Sequence, residues 1–141
     1  MQPSTEVRGT MLRFYERLSA KDVASFDGLV SSDPATLVIG TAPGEWVTER
    51  DRLRYGFEVE GLGIEPGPSA AGHERGDVGW FVDEPTYTFP DGSRMQTRMT
   101  AILQREDGDW RVVHMHVSVG VPDEEVVALQ ERWQPLTPEH G

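Results

Sequence analysis

The sequence predicts a single α+β domain, with helices grouped in the first half of the chain and strands in the second. Between Glu6 and Ser19 the apolar residues recur at helical spacing, whereas four later segments alternate polar and apolar side chains as strands do. Two connections, "FPDGS" and "EDGDW", contain Asp-Gly, the pair favoured in tight hairpins. We therefore expect a layer of helices on one face of an antiparallel sheet.

The first half contains three predicted helices and a short hairpin. The first helix, capped by Ser4 or Thr5, carries one apolar stripe formed by Val7, Met11, Phe14 or Tyr15, and Leu18. Asp22 opens a short second helix. "TLVIG" and "EWVT" then form a hairpin around "APGE", and "ERDRLRYGFEVEG" forms a third helix that stops at Gly61.

The second half contains four strand candidates, "SAAGHERGD", "VGWFVDEPTYTF", "RMQTRMTAILQRE" and "WRVVHMHVSVG". After Pro122, "DEEVVALQERW" is compatible with a closing helix, and we expect residues 134–141 to form a loose tail. Residues 1–133 are thus predicted to form one domain. The Gly- and Pro-rich segment "GLGIEPGPSAAG" is a candidate for a flexible rim or lid.

Composition excludes several classes of partner. The net charge is −11, which argues against binding to nucleic acid or to an anionic membrane surface. The chain has no cysteine, so disulfides and thiolate metal sites are absent. No apolar run has the length of a membrane span, and the N-terminus shows no signal peptide, so a cytoplasmic location is expected.

Strand alternation in "WRVVHMHVSVGVP" separates two faces of the last strand. It predicts one largely apolar face with Arg111, Val113, Met115, Val117 and Val119, and an opposite face with Trp110, Val112, His114, His116 and Ser118. In the preceding strand, Met99 and Ala101 share an apolar face, which should meet the helices. The two histidines are then expected on the outer face, close to Arg98 and Thr100.

The pair His114 and His116 admits three interpretations. A zinc site requires three or four ligands, and neither His73 nor His140 has an evident relation to the pair, although two chains could supply four imidazoles across a two-fold axis. A catalytic role requires a cleft, which this face need not have. We favour a contact on the face of the sheet, and we expect neither a metal nor a cofactor.

The segments "AKDVASFDGLVSSDPATLVIG" and "REDGDWRVVHMHVSVGVP" resemble the SnoaL-like, polyketide-cyclase-like branch of the nuclear transport factor 2-like superfamily. The resemblance extends from Glu6 to about Glu125, and "DGDWRVVHMH" with the trailing Ser118 is its most specific part. It implies a cystatin-like cone, in which a curved antiparallel sheet wraps around the N-terminal helices and encloses a pocket. The family is often dimeric, in some branches through the outer sheet face.

The resemblance also allows a test for ketosteroid isomerase chemistry, which requires a carboxylate base and two hydrogen-bond donors. Aligned on "FYERLSAKD", "PATLVIG" and "RMTAILQREDGDW", these roles fall on Phe14, Ile39 and Ala101. None of the three can exchange a proton, so this activity is not expected. Whether the protein is an enzyme stays open, and Tyr15, Asp83 and His116 are the remaining catalytic candidates.

The sequence therefore predicts binding of a small hydrophobic molecule in a cone-shaped, mostly apolar pocket. The predicted ligand-binding residues are Phe14, Leu18, Phe57, Met99, Ala101, Met115 and Val117, with Trp46 near the mouth. The alternative is a lyase, isomerase or cyclase that acts on a polyketide-like substrate. We also expect a homodimer packed through the outer sheet face that carries Arg98, Thr100, His114 and His116.

Overall fold

A computed structural model describes residues 1–133, so the predicted tail at 134–141 lies outside the described residues. The α-helices are α1 (Thr5–Ser19), α2 (Phe26–Leu29), α3 (Arg50–Arg54) and α4 (Asp123–Trp133). The strands are β1 (Gln2–Pro3), β2 (Leu37–Ile39), β3 (Trp46–Val47), β4 (Gly63–Glu65), β5 (Ala71–Arg75), β6 (Val78–Asp83), β7 (Thr86–Thr88), β8 (Arg94–Gln96), β9 (Arg98–Glu106) and β10 (Asp109–Ser118). This arrangement confirms the predicted α+β class.

Helix α1 is the central helix of the fold. It begins where the Ser4 side chain accepts a hydrogen bond of 3.1 Å from the backbone N–H of Val7, as predicted for an N-cap. Its buried stripe consists of Val7, Thr10, Met11, Phe14, Tyr15 and Leu18. This stripe packs against β5, β6 and β10 on one side and against β4 on the other, so α1 joins two sheets.

The strands form a seven-stranded sheet in the order β1-β5-β6-β9-β10-β2-β3 and a three-stranded sheet in the order β4-β7-β8. Among these strands every pairing is antiparallel except that of β10 with β2, which is parallel. Strands β6 and β7 are separated by Glu84 and the buried Pro85, so the chain passes there from the large sheet to the small one. Proline lacks the N–H that would continue the ladder.

The predicted faces of β10 are wrong for its first part. The structure buries Trp110 and Val112 on the inner face together with Met115 and Val117, because the ladder with β9 shifts register between Val112 and His114. The extra residue of this β-bulge is Val113, and one extra residue reverses the alternation on either side of it. His114 and His116 remain on the outer face. Trp110 and Val112, which strict alternation placed beside them there, lie on the inner face instead.

Two further segments differ from the expectation. Helix α3 ends at Arg54 and continues as one 3-10 turn, Tyr55–Phe57, so the third helix is shorter than predicted. The Gly- and Pro-rich segment contains β4, which pairs with β7, and is therefore part of the small sheet.

Helix α4 buries none of its side chains. Among residues 1–133, no helix is both long and apolar enough to cross a membrane.

Candidate functional site

A cavity of about 680 Å³ lies between the two sheets and against α1. One wall is the cross-strand row Val47–Val38–Met115 of the large sheet. The opposite wall is the row Ile64–Tyr87–Met95 of the small sheet. Directly paired residues project from the same face of a sheet, so each row presents three side chains to the cavity.

The interior of the cavity is apolar. Phe14 and Leu18 reach it from α1, and both are almost fully buried. The remaining apolar lining outside the two rows consists of Val30, Leu53, Leu62, Phe89, Val112 and Val117. Such a lining stabilises an apolar ligand through the surface it removes from water.

The mouth of the cavity is polar and exposed, with Thr41, Glu45, Asp51, Arg52 and Tyr55 at its rim. Several of these groups are held within the chain. Asp51 lies 3.2 Å from Arg54, and Arg52 lies 3.4 Å from Glu49. Glu45 accepts a hydrogen bond of 3.2 Å from the backbone N–H of Ala42.

Two polar side chains lie deeper in the lining. Thr97 is buried, and its hydroxyl donates a hydrogen bond of 3.0 Å to the backbone carbonyl of Pro85. The hydroxyl of Tyr87 makes no hydrogen bond to any of residues 1–133. Burial, and to a lesser degree the negative charge of Glu45, raise the pKa of the Tyr87 phenol well above its usual value. Tyr87 is therefore protonated at neutral pH.

The predicted ligand-binding residues fall into two groups. Phe14, Leu18, Met115 and Val117 line the cavity, whereas Phe57, Met99 and Ala101 are buried in the core and are absent from the lining. Phe57 packs behind Phe14, with the ring centroids 5.3 Å apart in an edge-to-face arrangement.

Trp46 does not line the cavity either, and it is 62% exposed. It pairs with Ile39, whereas its neighbour Val47 pairs with Val38 of the cavity wall. Strand alternation therefore directs Val47 inward and Trp46 outward.

Two of the catalytic candidates meet in the structure. The Tyr15 hydroxyl donates a hydrogen bond of 2.9 Å to Oδ2 of Asp83, and both residues are buried. The same carboxylate accepts hydrogen bonds from the backbone N–H groups of Gly67, at 3.1 Å, and Glu84, at 2.8 Å. Neither Tyr15 nor Asp83 lines the cavity. Their hydrogen bonds hold the segment around Gly67 against α1.

The third candidate, His116, is exposed on the outer sheet face, away from the cavity. On the same face, the Nδ1 atom of His114 lies 2.9 Å from the backbone carbonyl oxygen of Leu37, within hydrogen-bond distance. Within residues 1–133 no group of three or more His, Asp or Glu side chains is arranged to hold a metal ion.

The sequence analysis missed Tyr87, Met95, Val38 and Glu45 as lining residues. The alternation in "PTYTF" could have singled out Tyr87, because it places that side chain on the face opposite to its two threonine neighbours. The formation of a second sheet by β4, β7 and β8 depends on pairing between distant segments, and no local pattern indicates it.

The comparisons with known proteins agree with this architecture. The model of the SnoaL-like domain matches residues 7–122. This chain therefore belongs to the SnoaL-like family, as its sequence predicted. No curated protein matches the sequence significantly.

Several solved structures are similar in fold. An NTF2-like protein of unknown function from Pseudomonas putida KT2440 has a TM-score of 0.69 at 16% identity, with 86% of this chain and 89% of the other covered. A superfamily protein from Salmonella enterica has a TM-score of 0.69 at 18% identity, with 84% and 91% covered. The association domain of C. elegans CaMKII has a TM-score of 0.62 at 17% identity, with 79% and 91% covered. At these identities the similarity shows the fold alone.

Proposed function

We propose that this protein binds a small hydrophobic molecule in the cavity between its two sheets. The observation that carries the proposal is the apolar interior of about 680 Å³ beneath a polar mouth. Sites for small molecules commonly have volumes on the order of 300–1,000 Å³, a mostly apolar lining and a few polar groups. The cavity has each of these properties.

An enzymatic role has less support. Tyr15 and Asp83 satisfy each other in the core, and His116 lies on the other side of the sheet. A catalytic group must reach the bound molecule directly or through one water. The lyase, isomerase or cyclase alternative would thus require groups other than the three candidates.

The binding proposal is tested with the neutral fluorescent probe N-phenylnaphthylamine. A Val38→Phe variant adds bulk to the wall of the cavity, since Val38 is only partly buried and lines it. We expect the dissociation constant of the probe to rise about tenfold or more, because the larger ring removes space from the site. The matched control is Val127→Phe on the exposed side of α4, outside the lining. Failure of the wild-type protein to bind the probe, or equal binding by both variants, contradicts the proposal.

We also propose a homodimer packed through the outer face of the large sheet. One cross-strand row on this face consists of His73, Trp80, Ile102, His114 and Leu37. The next consists of Ala71, Val82, Thr100, His116, Ile39 and Trp46. Neither row contains a carboxylate, although the chain has 24 acidic residues. Glu106 lies further along the same face of β9, but the two rows themselves are free of acidic groups, so two copies can approach through them without repulsion.

A Thr100→Asp variant tests the dimer. Two-fold symmetry brings the substituted residue of each copy into the interface. The two new carboxylates would then be buried there with the same negative charge. Sedimentation equilibrium at micromolar concentration should give a dimer for the wild type and a monomer for the variant. Gln96→Asp, an exposed substitution on the small sheet, should leave the dimer intact. A monomeric wild-type protein overturns this proposal.

A further inference from the structure

We propose that the Tyr87 hydroxyl donates a hydrogen bond to an acceptor, such as a ketone oxygen, of a neutral hydrophobic ligand and thereby orients that ligand in the cavity. This inference rests on the proposed binding function. It assigns a specificity-determining residue and a ligand class to the same cavity.

The position of Tyr87 is set by the pairing of the small sheet. Tyr87 lies in the middle strand of the three, between Ile64 of β4 and Met95 of β8, and all three residues line the cavity. Its ring also stacks beside that of Phe89, with the centroids 6.3 Å apart. The phenol is thus a single polar group on an otherwise apolar wall.

The hydroxyl of Tyr87 has its donor available. The other non-exposed polar side chain of the lining, Thr97, already donates to Pro85. Tyr87 donates to no atom of residues 1–133, and its hydroxyl is accessible from the cavity, where water or a ligand can accept its proton. An acceptor atom on a bound molecule would satisfy the Tyr87 hydroxyl, because the apolar side chains around it have no acceptor.

The protonation state decides which kind of ligand group can pair with Tyr87. Burial and the nearby charge of Glu45 raise the pKa of the phenol, so it keeps its proton well above neutral pH. A protonated phenol can both donate and accept, and because its proton has no partner among residues 1–133, the ligand atom that satisfies it is an acceptor.

The charges at the mouth favour a neutral ligand over an anion. Glu45 and Asp51 lie at the rim, and Arg52, the single rim cation among residues 1–133, already pairs with Glu49. The net charge of the whole chain is −11. A carboxylate entering the apolar interior would lose its hydration without gaining a free cation.

The test uses three naphthalenes that displace N-phenylnaphthylamine. Acetonaphthone and ethylnaphthalene have almost the same shape but differ in the ketone oxygen, and naphthoate adds a negative charge. Tyr87→Phe removes only the hydroxyl. We expect this variant to bind acetonaphthone about three- to tenfold more weakly and ethylnaphthalene with less than about a twofold change. The wild type should bind naphthoate more weakly than acetonaphthone.

The matched control is Thr88→Val, which removes a hydroxyl from the same strand at a residue that does not line the cavity. It should leave the affinity for all three compounds unchanged. Equal losses for acetonaphthone and ethylnaphthalene in Tyr87→Phe, or no loss for either, overturn the role of Tyr87 while leaving the binding function intact. If the wild type binds none of the compounds and not the probe, the binding function itself fails, and the role of Tyr87 fails with it.

Discussion

The hydroxyl of Tyr15 and the carboxylate of Asp83 form a buried hydrogen bond of 2.9 Å that joins α1 to the end of β6. The backbone N–H groups of Gly67 and Glu84 donate two further hydrogen bonds to this carboxylate. A buried carboxylate is costly unless donors satisfy it. The three donors therefore make the pair a tether between helix, sheet and the segment that follows β4.

Tyr15→Phe should destabilise the protein by about 1–3 kcal/mol, since it leaves the buried Asp83 carboxylate without one of its donors. Urea unfolding at neutral pH measures the change. The exposed Tyr55→Phe substitution is the control and should change the free energy of unfolding by less than about 0.5 kcal/mol. Equal stability of the two variants would show that the tether contributes nothing.

Stability should fall as the pH rises above 10. Burial, followed by the charge and hydrogen bond of Asp83, raises the pKa of Tyr15 above its ordinary value of 10.0. The unfolded chain then ionises Tyr15 at a pH where the folded chain cannot, so the stabilisation is complete below pH 10 and is lost above it. Urea unfolding between neutral pH and pH 11 should show this loss, and Tyr15→Phe should reduce its slope.

The titration of Lys21, the only lysine of the chain, changes the stability of the fold in the opposite direction. Burial lowers the pKa of Lys21, so its titration favours the folded state as the pH rises towards its ordinary value of 10.5. The comparison of Tyr15→Phe with the wild type cancels this contribution, because both proteins retain Lys21. Identical slopes in the two proteins would refute the assignment to Tyr15.

Ala101→Asp should destabilise the protein by about 3 kcal/mol or more. Ala101 is 1% exposed and pairs with Phe81 and Met115, so a new carboxylate there would be buried without a donor. The neighbouring Thr100→Asp, on the opposite face of β9, should remain folded, as measured by thermal unfolding of both variants. An unchanged melting temperature for Ala101→Asp would mean that β9 does not have this inner face.

Glu106→Gln should lower stability at neutral pH and lose its effect in acid. Burial acts to raise the pKa of Glu106, but hydrogen bonds from Ser31 and Gln104 and the ion pair with Arg111 together lower it below its ordinary value of 4.5. The stabilisation is therefore present above pH 4.5 and is lost as the pH falls through the lower, folded-state value. Urea unfolding of both proteins at neutral and acidic pH checks this, and a difference that persists or grows in acid would contradict it.

Local sequence patterns were sufficient to predict the class of fold and much of the core, and the resemblance of two segments predicted the family. The helical spacing of Met11 and Leu18 predicted the buried stripe of α1, and the alternation of Met99 and Ala101 predicted the inner face of β9. Each of these patterns repeats within a single helix or strand, so the residue order of that element alone predicts which of its faces is buried.

The cavity depends on relationships that no single element contains. The bulge at Val113 turned Trp110 and Val112 inward, because the ladder with β9 requires one extra residue there. The break at Pro85 carried Tyr87 into a second sheet, and that sheet forms the wall opposite Met115. Likewise, Tyr15 and Asp83 are 68 residues apart and meet only when α1 packs across the large sheet. The register and packing of distant segments are set by the total free energy of the folded chain. Local periodicity therefore predicted which face of a strand or helix is buried, but it could not predict which of the buried faces enclose the cavity.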